Sequence, residues 1–263
     1  VSPNIAPVLC SYYRKAYNQP IFAPANQQWW ATYKEWAAHT KYLQQYDYYG
    51  LCFNDQPMAE VLKFDYLAQL KIGFRSGATE GAGSLEYIGV ADERWCISRL
   101  QWDPTLDVEQ LHRYFNRRTY REAAPWIDRF RGTIRTHYYQ CYKTQQHLSD
   151  CREVASVIRS CGIEQELRGY IAKALEVVKN EKSRRLIEKM QMDFDYIMKP
   201  DWDMVFRGDW PSNKVKKAPL KRAETTANPC EAVFEAGTRA ALAAAKRGDW
   251  AAATNCVAQA FGA

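Results

Sequence analysis

Strands and helices alternate over the first hundred residues, and this alternation restricts the fold more than any other feature of the sequence. Short runs of apolar and aromatic residues predict strands at 4–9, 41–51 and 72–75. Apolar residues at helical spacing predict helices at 27–39, 58–70 and 85–100. Strands that are joined through helices in this way lie parallel in one sheet, with the helices packed on it. The sequence therefore predicts an α/β start.

Three parallel strands make an incomplete domain, because both sheet edges stay open and the faces are only partly covered. The same alternation is typical of a (β/α)8 barrel, the TIM-barrel fold. We therefore predict that residues 1–104 form the second half of such a barrel. Its first half would be missing or would be supplied by another chain.

After Pro104 the pattern becomes helical throughout, so the predicted fold class is α/β followed by an all-α, helical C-terminal region. Helices are predicted at 108–120, 122–142, 150–161 and 164–198. We expect a helical region at 105–200 that packs on the barrel, a linker at 201–228 and a helical hairpin at 229–263. Asn26 and Asp107 are the predicted N-caps of helices 27–39 and 108–120.

Two acidic residues lie where predicted strands end. Asp47 is near the end of strand 41–51, and Glu80 is on the glycine-rich loop 77–83 that follows strand 72–75. In a barrel these strand ends face a shared cleft. Two carboxylates across a cleft are the catalytic groups of glycoside hydrolysis, in which one donates a proton and the other activates water or attacks the sugar. The alternatives are a solvated Glu80 on an ordinary turn and an Asp47 that caps the next turn.

Aromatic residues make up 14% of the chain, and their flat apolar faces suit both sugar rings and protein cores. The candidates for substrate binding are Tyr48, Tyr49, Trp95 and Trp102. Each of these four side chains would serve equally well in packing, so composition alone does not assign them to a site.

Other classes of site find little support in the sequence. The net charge of +6 comes largely from basic residues at 214–222 beside prolines, which is typical of a solvated linker, and no nucleic-acid-binding motif accompanies them. No apolar run reaches membrane-spanning length, and we predict no signal peptide within residues 1–263.

The chemistry of metals and cofactors is also disfavoured. The eight cysteines include no C-x-x-C pair, so we predict free thiols and no metal site. No phosphate-binding or dinucleotide-binding motif is present, and no cofactor is predicted. The histidines are expected at surface or helix-cap positions; they are His39, His112, His137 and His147.

Several segments together resemble a known family. They are Tyr46–Gly50, the Glu80-Gly81 pair, the Trp102-Asp103-Pro104 stop with Leu106-Asp107-Val108 after it, and Ala123–Ile127. In this order they resemble bacterial proteins that carry the domain of unknown function 4838. That group includes glycoside hydrolase family 163, which looks like an N-acetylglucosaminidase family acting on complex N-glycans. More distantly the segments are similar to family 67 α-glucuronidases. The resemblance covers about residues 4–135.

The resemblance implies a (β/α)8 barrel with a helical C-terminal region, a carbohydrate substrate, and a periplasmic, cell-surface or secreted location. By position, Asp47 and Glu80 look like the counterparts of the acids at late barrel strands. The earlier strands, where a proton-donating acid would be expected, are not in this sequence. A non-catalytic glycan-binding or assembly subunit that keeps the fold is therefore the alternative from a different class. A helical interaction protein would require the β-α-β interpretation to be wrong.

Overall fold

The structure of the protein is a computed structural model, which describes residues 5–11, 14, 16, 19–50, 57–81, 91–141 and 153–199 and the single positions 239, 240, 243, 244, 247, 249 and 252. Three strands open the chain: β1 (Val8–Cys10), β2 (Leu43–Gly50) and β3 (Phe74–Gly81). Between them lie the helices α1 (Gln27–His39) and α2 (Ala59–Lys71). The later helices are α3 (Ala91–Trp102), α4 (Val108–Tyr120), α5 (Ala124–Cys141), α6 (Glu153–Cys161), α7 (Glu164–Val177) and α8 (Glu181–Ile197).

The strands form one parallel sheet in the order β1-β2-β3. Cys10 pairs with Tyr46, and Tyr46 pairs in turn with Ala78. The next residue pair, Asp47 and Thr79, brings the C-terminal ends of β2 and β3 side by side. The predicted α/β start followed by helices is therefore confirmed.

One face of this sheet is covered by helices. Leu43, Gln45 and Asp47 alternate along β2, and all three are buried on that face. On β3, Gly77 lies under the ring of Tyr66 from α2, and a Cβ atom added at Gly77 would be 3.1 Å from the Tyr66 hydroxyl oxygen. Glycine at this position lets α2 approach the sheet closely.

The opposite face of the sheet is open along much of its described length. Val8 is 54% exposed, and Cys10 is exposed as well. On β3, Ser76 and Ala78 are exposed. Tyr46 on the central strand β2 is half-buried. Parallel sheets are normally covered on both faces. The open face is thus the part of this fold where another layer or a barrel interior is expected.

Two helices begin and end where the sequence predicts. They are α1 and α4, which occupy 27–39 and 108–120. Asp107 caps α4 as predicted, because its carboxylate accepts a hydrogen bond of 2.8 Å from the backbone N–H of Gln110. Asn26 is the N-cap residue of α1 as predicted, but its side chain makes no capping hydrogen bond. The buried side chain instead donates to the carbonyl of Ala16 at 2.8 Å and accepts from the backbone N–H of Ala16 at 3.0 Å.

The strand predicted at 72–75 is longer than expected and extends to Gly81. Glu80 therefore belongs to the strand and not to a loop. Glycine-rich runs are depleted in strands, which is why the sequence favoured a loop at 77–83. The close approach of Tyr66 to Gly77 explains why a strand tolerates this composition. Residues 82–90, which include the start of the predicted helix 85–100, lie outside the described residues.

The single long helix predicted at 164–198 is wrong, because the structure has two helices, α7 and α8, at this place. Val178 ends α7 in an extended conformation, and Asn180 begins α8 by accepting a hydrogen bond of 3.1 Å from the backbone N–H of Ser183. The apolar spacing continues across the break, so periodicity alone does not reveal it.

The C-terminal predictions fall mostly on residues that the structure does not describe. The predicted linker 201–228 and most of the predicted hairpin 229–263 are among them, as is Asp150 at the predicted start of a helix. Within the hairpin, Arg247 is helical, and the Asp249 carboxylate accepts a 3.0 Å hydrogen bond from the backbone N–H of Ala252.

Candidate functional site

A buried polar network lies at the C-terminal ends of β1 and β2. Ser11 follows β1 directly, and its hydroxyl donates a hydrogen bond of 2.8 Å to the carboxylate of Asp47. The side-chain amide of Gln45 donates to the same carboxylate oxygen at 2.9 Å. The guanidinium of Arg14 is 3.9 Å from it. Asp47 is therefore held on the helix-covered side of the sheet, and none of its surface is exposed.

The same arginine binds a second carboxylate, that of Asp65 on α2, at 2.5 Å. Asp65 also accepts hydrogen bonds from the hydroxyl of Tyr49 and from the backbone N–H of Ile21. These contacts join the segment after β1, the strand β2 and the helix α2. The network is called the sheet cluster below; its members are Ser11, Arg14, Gln45, Asp47, Tyr49 and Asp65.

Burial sets the charge states of the sheet cluster. It raises the pKa of Asp65, although Arg14 and the hydrogen bonds to the carboxylate oppose that rise. It also raises the pKa of Tyr49 well above its ordinary value, and the negative charge of Asp65 acts in the same direction. For Arg14, burial disfavours the charge, yet the acidic neighbours raise the pKa overall. The cluster thus contains one permanent cation between two buried carboxyl groups.

The chemistry open to the sheet cluster is limited by its burial. Arg14, Asp47 and Asp65 have no exposed side-chain surface, so a substrate on the protein surface does not reach them. Buried ion pairs of this kind fix chain segments relative to one another. The geometry favours a positioning role for the cluster.

Glu80, the other predicted acid, follows Thr79 in β3, and Thr79 is the strand partner of Asp47. The backbones of the two predicted catalytic residues are therefore neighbours at the C-terminal ends of adjacent parallel strands. The side chain of Glu80 lies outside the described residues, and so does that of Tyr48 on β2.

The three predicted aromatic residues whose side chains the structure describes have different surroundings. Tyr49 is buried in the sheet cluster. Trp95 is half-buried, and its ring stacks on Tyr114 of α4 at 5.7 Å between centroids and 15° between planes. Trp102 is 88% exposed at the end of α3. Helix geometry places Trp102 about 14 Å along α3 from Glu93. The neighbouring residue Gln101 donates a hydrogen bond of 3.2 Å to the hydroxyl of Tyr66, so this end of α3 lies beside α2.

A second buried network surrounds His112 of α4. The Nδ1 atom of its imidazole is 3.0 Å from an oxygen of Asp92, and the Nε2 atom is 3.3 Å from an oxygen of Glu93. The other oxygen of Glu93 accepts a hydrogen bond of 3.1 Å from the backbone N–H of Ala59 at the start of α2. The carboxylate of Glu93 is thus shared between His112 and a helix N-terminus.

Two arginines of α5 complete this network. Arg131 pairs with Asp92, and Arg135 is 3.3 Å from Glu60 of α2 and 2.5 Å from Glu109 of α4. The network is called the helix cluster below; its members are Glu60, Asp92, Glu93, Glu109, His112, Arg131 and Arg135.

Asp92, Glu93 and His112 have the donor types of a metal site, because one ligand atom from each lies within 4.8 Å of the others. Their surroundings argue against a cation. Arg131 contacts Asp92 directly, and Arg135 places a second positive charge among the same acids. The arrangement is therefore better described as a network of ion pairs.

Cys96, His112 and Asp92 also have the composition of a nucleophile with its base and orienting acid. Cys96 is completely buried, and burial raises the pKa of its thiol. A reactive cysteine requires the thiolate and access to the substrate. The structure provides neither, so Cys96 serves as a core residue.

The sequence prediction that His112 lies at a surface or cap position is wrong, since the residue is 3% exposed. A signal for its burial was present. Val108, Leu111, His112 and Phe115 follow the i, i+3, i+4, i+7 spacing of a helix face that packs on a core.

The comparison with protein families matches the family described as a domain of unknown function, DUF4838, over residues 1–132, which is half of the 263-residue chain. The chain belongs to the DUF4838 family. The DUF4838 match contains the whole sheet cluster and extends into α5 as far as Arg131 and Gly132. The comparisons with curated proteins and with solved structures found no match.

The helices of the DUF4838 part and those after it were compared with the requirements for crossing a membrane. Among the residues that the structure describes, no helix has the length and apolar character needed to cross a membrane.

Proposed function

We propose that this chain supplies the second half of a (β/α)8 barrel and that the complete barrel hydrolyses glycosidic bonds of complex glycans. The observation that carries the proposal is the open face of the parallel sheet, on which Val8, Cys10, Ser76 and Ala78 are exposed. In a barrel the helices lie outside, and the other face of each strand lines the interior. The remaining strands would come from a preceding part of the same protein or from another chain.

Glu80 is the leading candidate for the acting carboxylate. It is the penultimate residue of β3, and catalytic residues of such barrels lie at the C-terminal ends of strands. The resemblance to glycoside hydrolase family 163 supports a glycan substrate of the N-acetylglucosaminidase type. A carboxylic acid at this place is suited to donating a proton to the leaving oxygen or to activating water.

Asp47 has a different role in this proposal. A catalytic residue touches the substrate, whereas Asp47 is fully buried between Ser11 and Gln45. We therefore propose that Asp47 is a positioning residue, which fixes the end of β2 beside Glu80. The second carboxylate that glycoside hydrolysis requires would then come from the part of the barrel that completes the fold.

The experiment measures sugar release from complex N-glycans by the natural-length protein, with Glu80→Gln as the test variant and Glu122→Gln as the control. Glu122 is an exposed acid after α4, far from the sheet in sequence. Loss of an acid–base residue costs about 10²–10⁴ in rate, so we expect Glu80→Gln to abolish most turnover and Glu122→Gln to retain it. An unchanged rate in Glu80→Gln would remove this residue from the chemistry.

A second candidate function is glycan binding without turnover. The observation that favours it is the burial of Asp47, because it leaves one of the two predicted acids unavailable to a substrate. Binding of N-glycans by the natural-length protein, measured by calorimetry and accompanied by no sugar release, would support this candidate over the hydrolase.

A further inference from the structure

The helix cluster connects the sheet-bearing part of the molecule to the helices that follow it. His112 of α4 contacts Asp92 and Glu93 of α3, and Arg135 of α5 contacts Glu60 of α2. The hydroxyl of Tyr139 on α5 adds a hydrogen bond to the carbonyl of Pro57, just before α2. Buried ion pairs and a hydrogen bond therefore join α2 and α3 to α4 and α5.

The surroundings of His112 favour the protonated imidazole over the neutral one. Both ring nitrogens face carboxylate oxygens, at 3.0 Å for Asp92 and 3.3 Å for Glu93. A neutral imidazole has one N–H donor and one acceptor, whereas the protonated ring donates from both nitrogens. The Nδ1 contact with Asp92 has hydrogen-bond geometry, whereas the Nε2 contact with Glu93 does not and is an ion pair only when the ring is protonated. Two carboxylates beside one buried ring therefore favour the protonated imidazole.

We propose that the helix cluster is a pH-sensitive connection, which holds α3 to α4 and α5 while His112 is protonated and weakens when His112 loses its proton. This inference concerns the stability of the fold and does not depend on the proposed hydrolase activity. It needs no metal or other ligand.

The charged and titratable groups that act on His112 are Asp92, Glu93 and Cys96 of α3, Glu109 of α4 and Arg135 of α5. Around them, Glu60 of α2 contacts Arg135, Arg131 of α5 contacts Asp92, and Tyr139 of α5 contacts Glu60. Burial lowers the pKa of His112 and Arg135 acts in the same direction, but the charge of Glu93 outweighs both. The balance raises the pKa of His112 from 6.5 to about 9.

The sign of the pH dependence follows from this shift. The folded protein holds the His112 proton more tightly than the unfolded chain, so the contribution to stability is complete below about pH 6.5 and is lost as the pH rises through about 9. Each unit of pKa difference corresponds to a tenfold change in the folding equilibrium. The unfolding equilibrium constant should therefore rise on the order of a hundredfold over this range.

Lowering the pH also weakens the helix cluster, through protonation of Glu93. Burial raises the pKa of Glu93, and a protonated Glu93 no longer pairs with the imidazolium of His112. The connection is thus strongest at a pH between the titrations of Glu93 and His112.

The test measures the unfolding equilibrium constant of the full chain by urea titration at pH 6.5 to about 9.5. His112→Gln is the test variant and His39→Gln the matched control, since His39 is an exposed histidine at the end of α1. We expect the constant of the wild-type chain to rise on the order of a hundredfold more than that of His112→Gln, and His39→Gln to follow the wild type. Parallel profiles for the wild type and His112→Gln would overturn the proposal.

Two further measurements keep the proposal falsifiable if His112→Gln does not fold. An NMR titration of the His112 ring in the wild-type chain should give a midpoint near 9, and a midpoint at or below 6.5 would contradict the inference. Titration with Zn²⁺ should leave stability unchanged. A saturable stabilisation by Zn²⁺ that is lost in Asp92→Asn would replace the pH-sensitive connection with a metal site.

Discussion

The sheet cluster is completely buried around Arg14, whereas the helix cluster is buried around His112 and reaches the surface at Glu109, and the two differ in the cation between their acids. Arg14 of the sheet cluster carries a guanidinium, which keeps its charge at any pH that the folded protein tolerates. The helix cluster places an imidazole, His112, between its acids. The imidazole loses its proton as the pH rises through about 9, whereas the guanidinium stays charged. We therefore expect the sheet cluster to stabilise the fold at neutral and alkaline pH alike and the helix cluster to make stability depend on pH.

The two clusters also join different parts of the chain. The sheet cluster attaches the segment after β1 to β2 and α2, all within the DUF4838 match. The helix cluster attaches α2 and α3 to the helices that follow. We therefore expect the contacts between the sheet and the helical region to weaken or strengthen with pH. The contacts that hold the end of β2 beside Glu80 should be less sensitive to pH.

The largest effect is expected from Arg14→Met, which tests how much the sheet cluster, with its permanent cation, stabilises the fold. Removing the guanidinium leaves Asp47 and Asp65 buried without their cation, and breaking a buried pair in this way costs about 3–5 kcal/mol of unfolding free energy. Urea unfolding at neutral pH measures the loss. The matched control is Arg185→Met, which breaks an exposed pair with Glu181 and should cost a few tenths of a kcal/mol. Equal losses in the two variants would show that the sheet cluster contributes no special stability.

A smaller effect is expected from Asp107→Ala, which tests whether the helical region unfolds separately from the sheet. Asp107 caps α4, the helix that carries His112, and loss of such a cap costs about 1 kcal/mol. Hydrogen exchange should become faster in α4 and stay unchanged in β2. If exchange in β2 increased equally, the helical region and the sheet would unfold together and the distinction between the clusters would disappear.

Much of the architecture was predictable because local signals agreed with it. The apolar stripe of α4, the cap at Asp107 and the β-α-β alternation each have a direct physical cause within a few residues. The assignment to the DUF4838 family was also confirmed from short segments such as Trp102-Asp103-Pro104.

Some of the features that were not predicted depend on contacts between distant residues, such as the packing of Tyr66 from α2 on Gly77 of β3. The break before α8 has a local signal, because Asn180 caps that helix. The spacing of Val108, Leu111 and Phe115 indicates the buried face of α4 on which His112 lies, but the acids of α3 that contact it are distant in the sequence. Local sequence cannot show such partners, since they are brought together by folding.

The most direct test of the account compares Glu80→Gln with Asp47→Asn in the natural-length protein, as the rate of N-glycan hydrolysis per folded molecule. Glu80 is the proposed acting carboxylate and Asp47 the proposed positioning residue, whose carboxylate is held by Ser11 and Gln45. We predict that Glu80→Gln keeps wild-type stability and loses turnover, whereas Asp47→Asn loses stability and its folded fraction still turns over substrate. Full turnover in Glu80→Gln, together with none in folded Asp47→Asn, would contradict it.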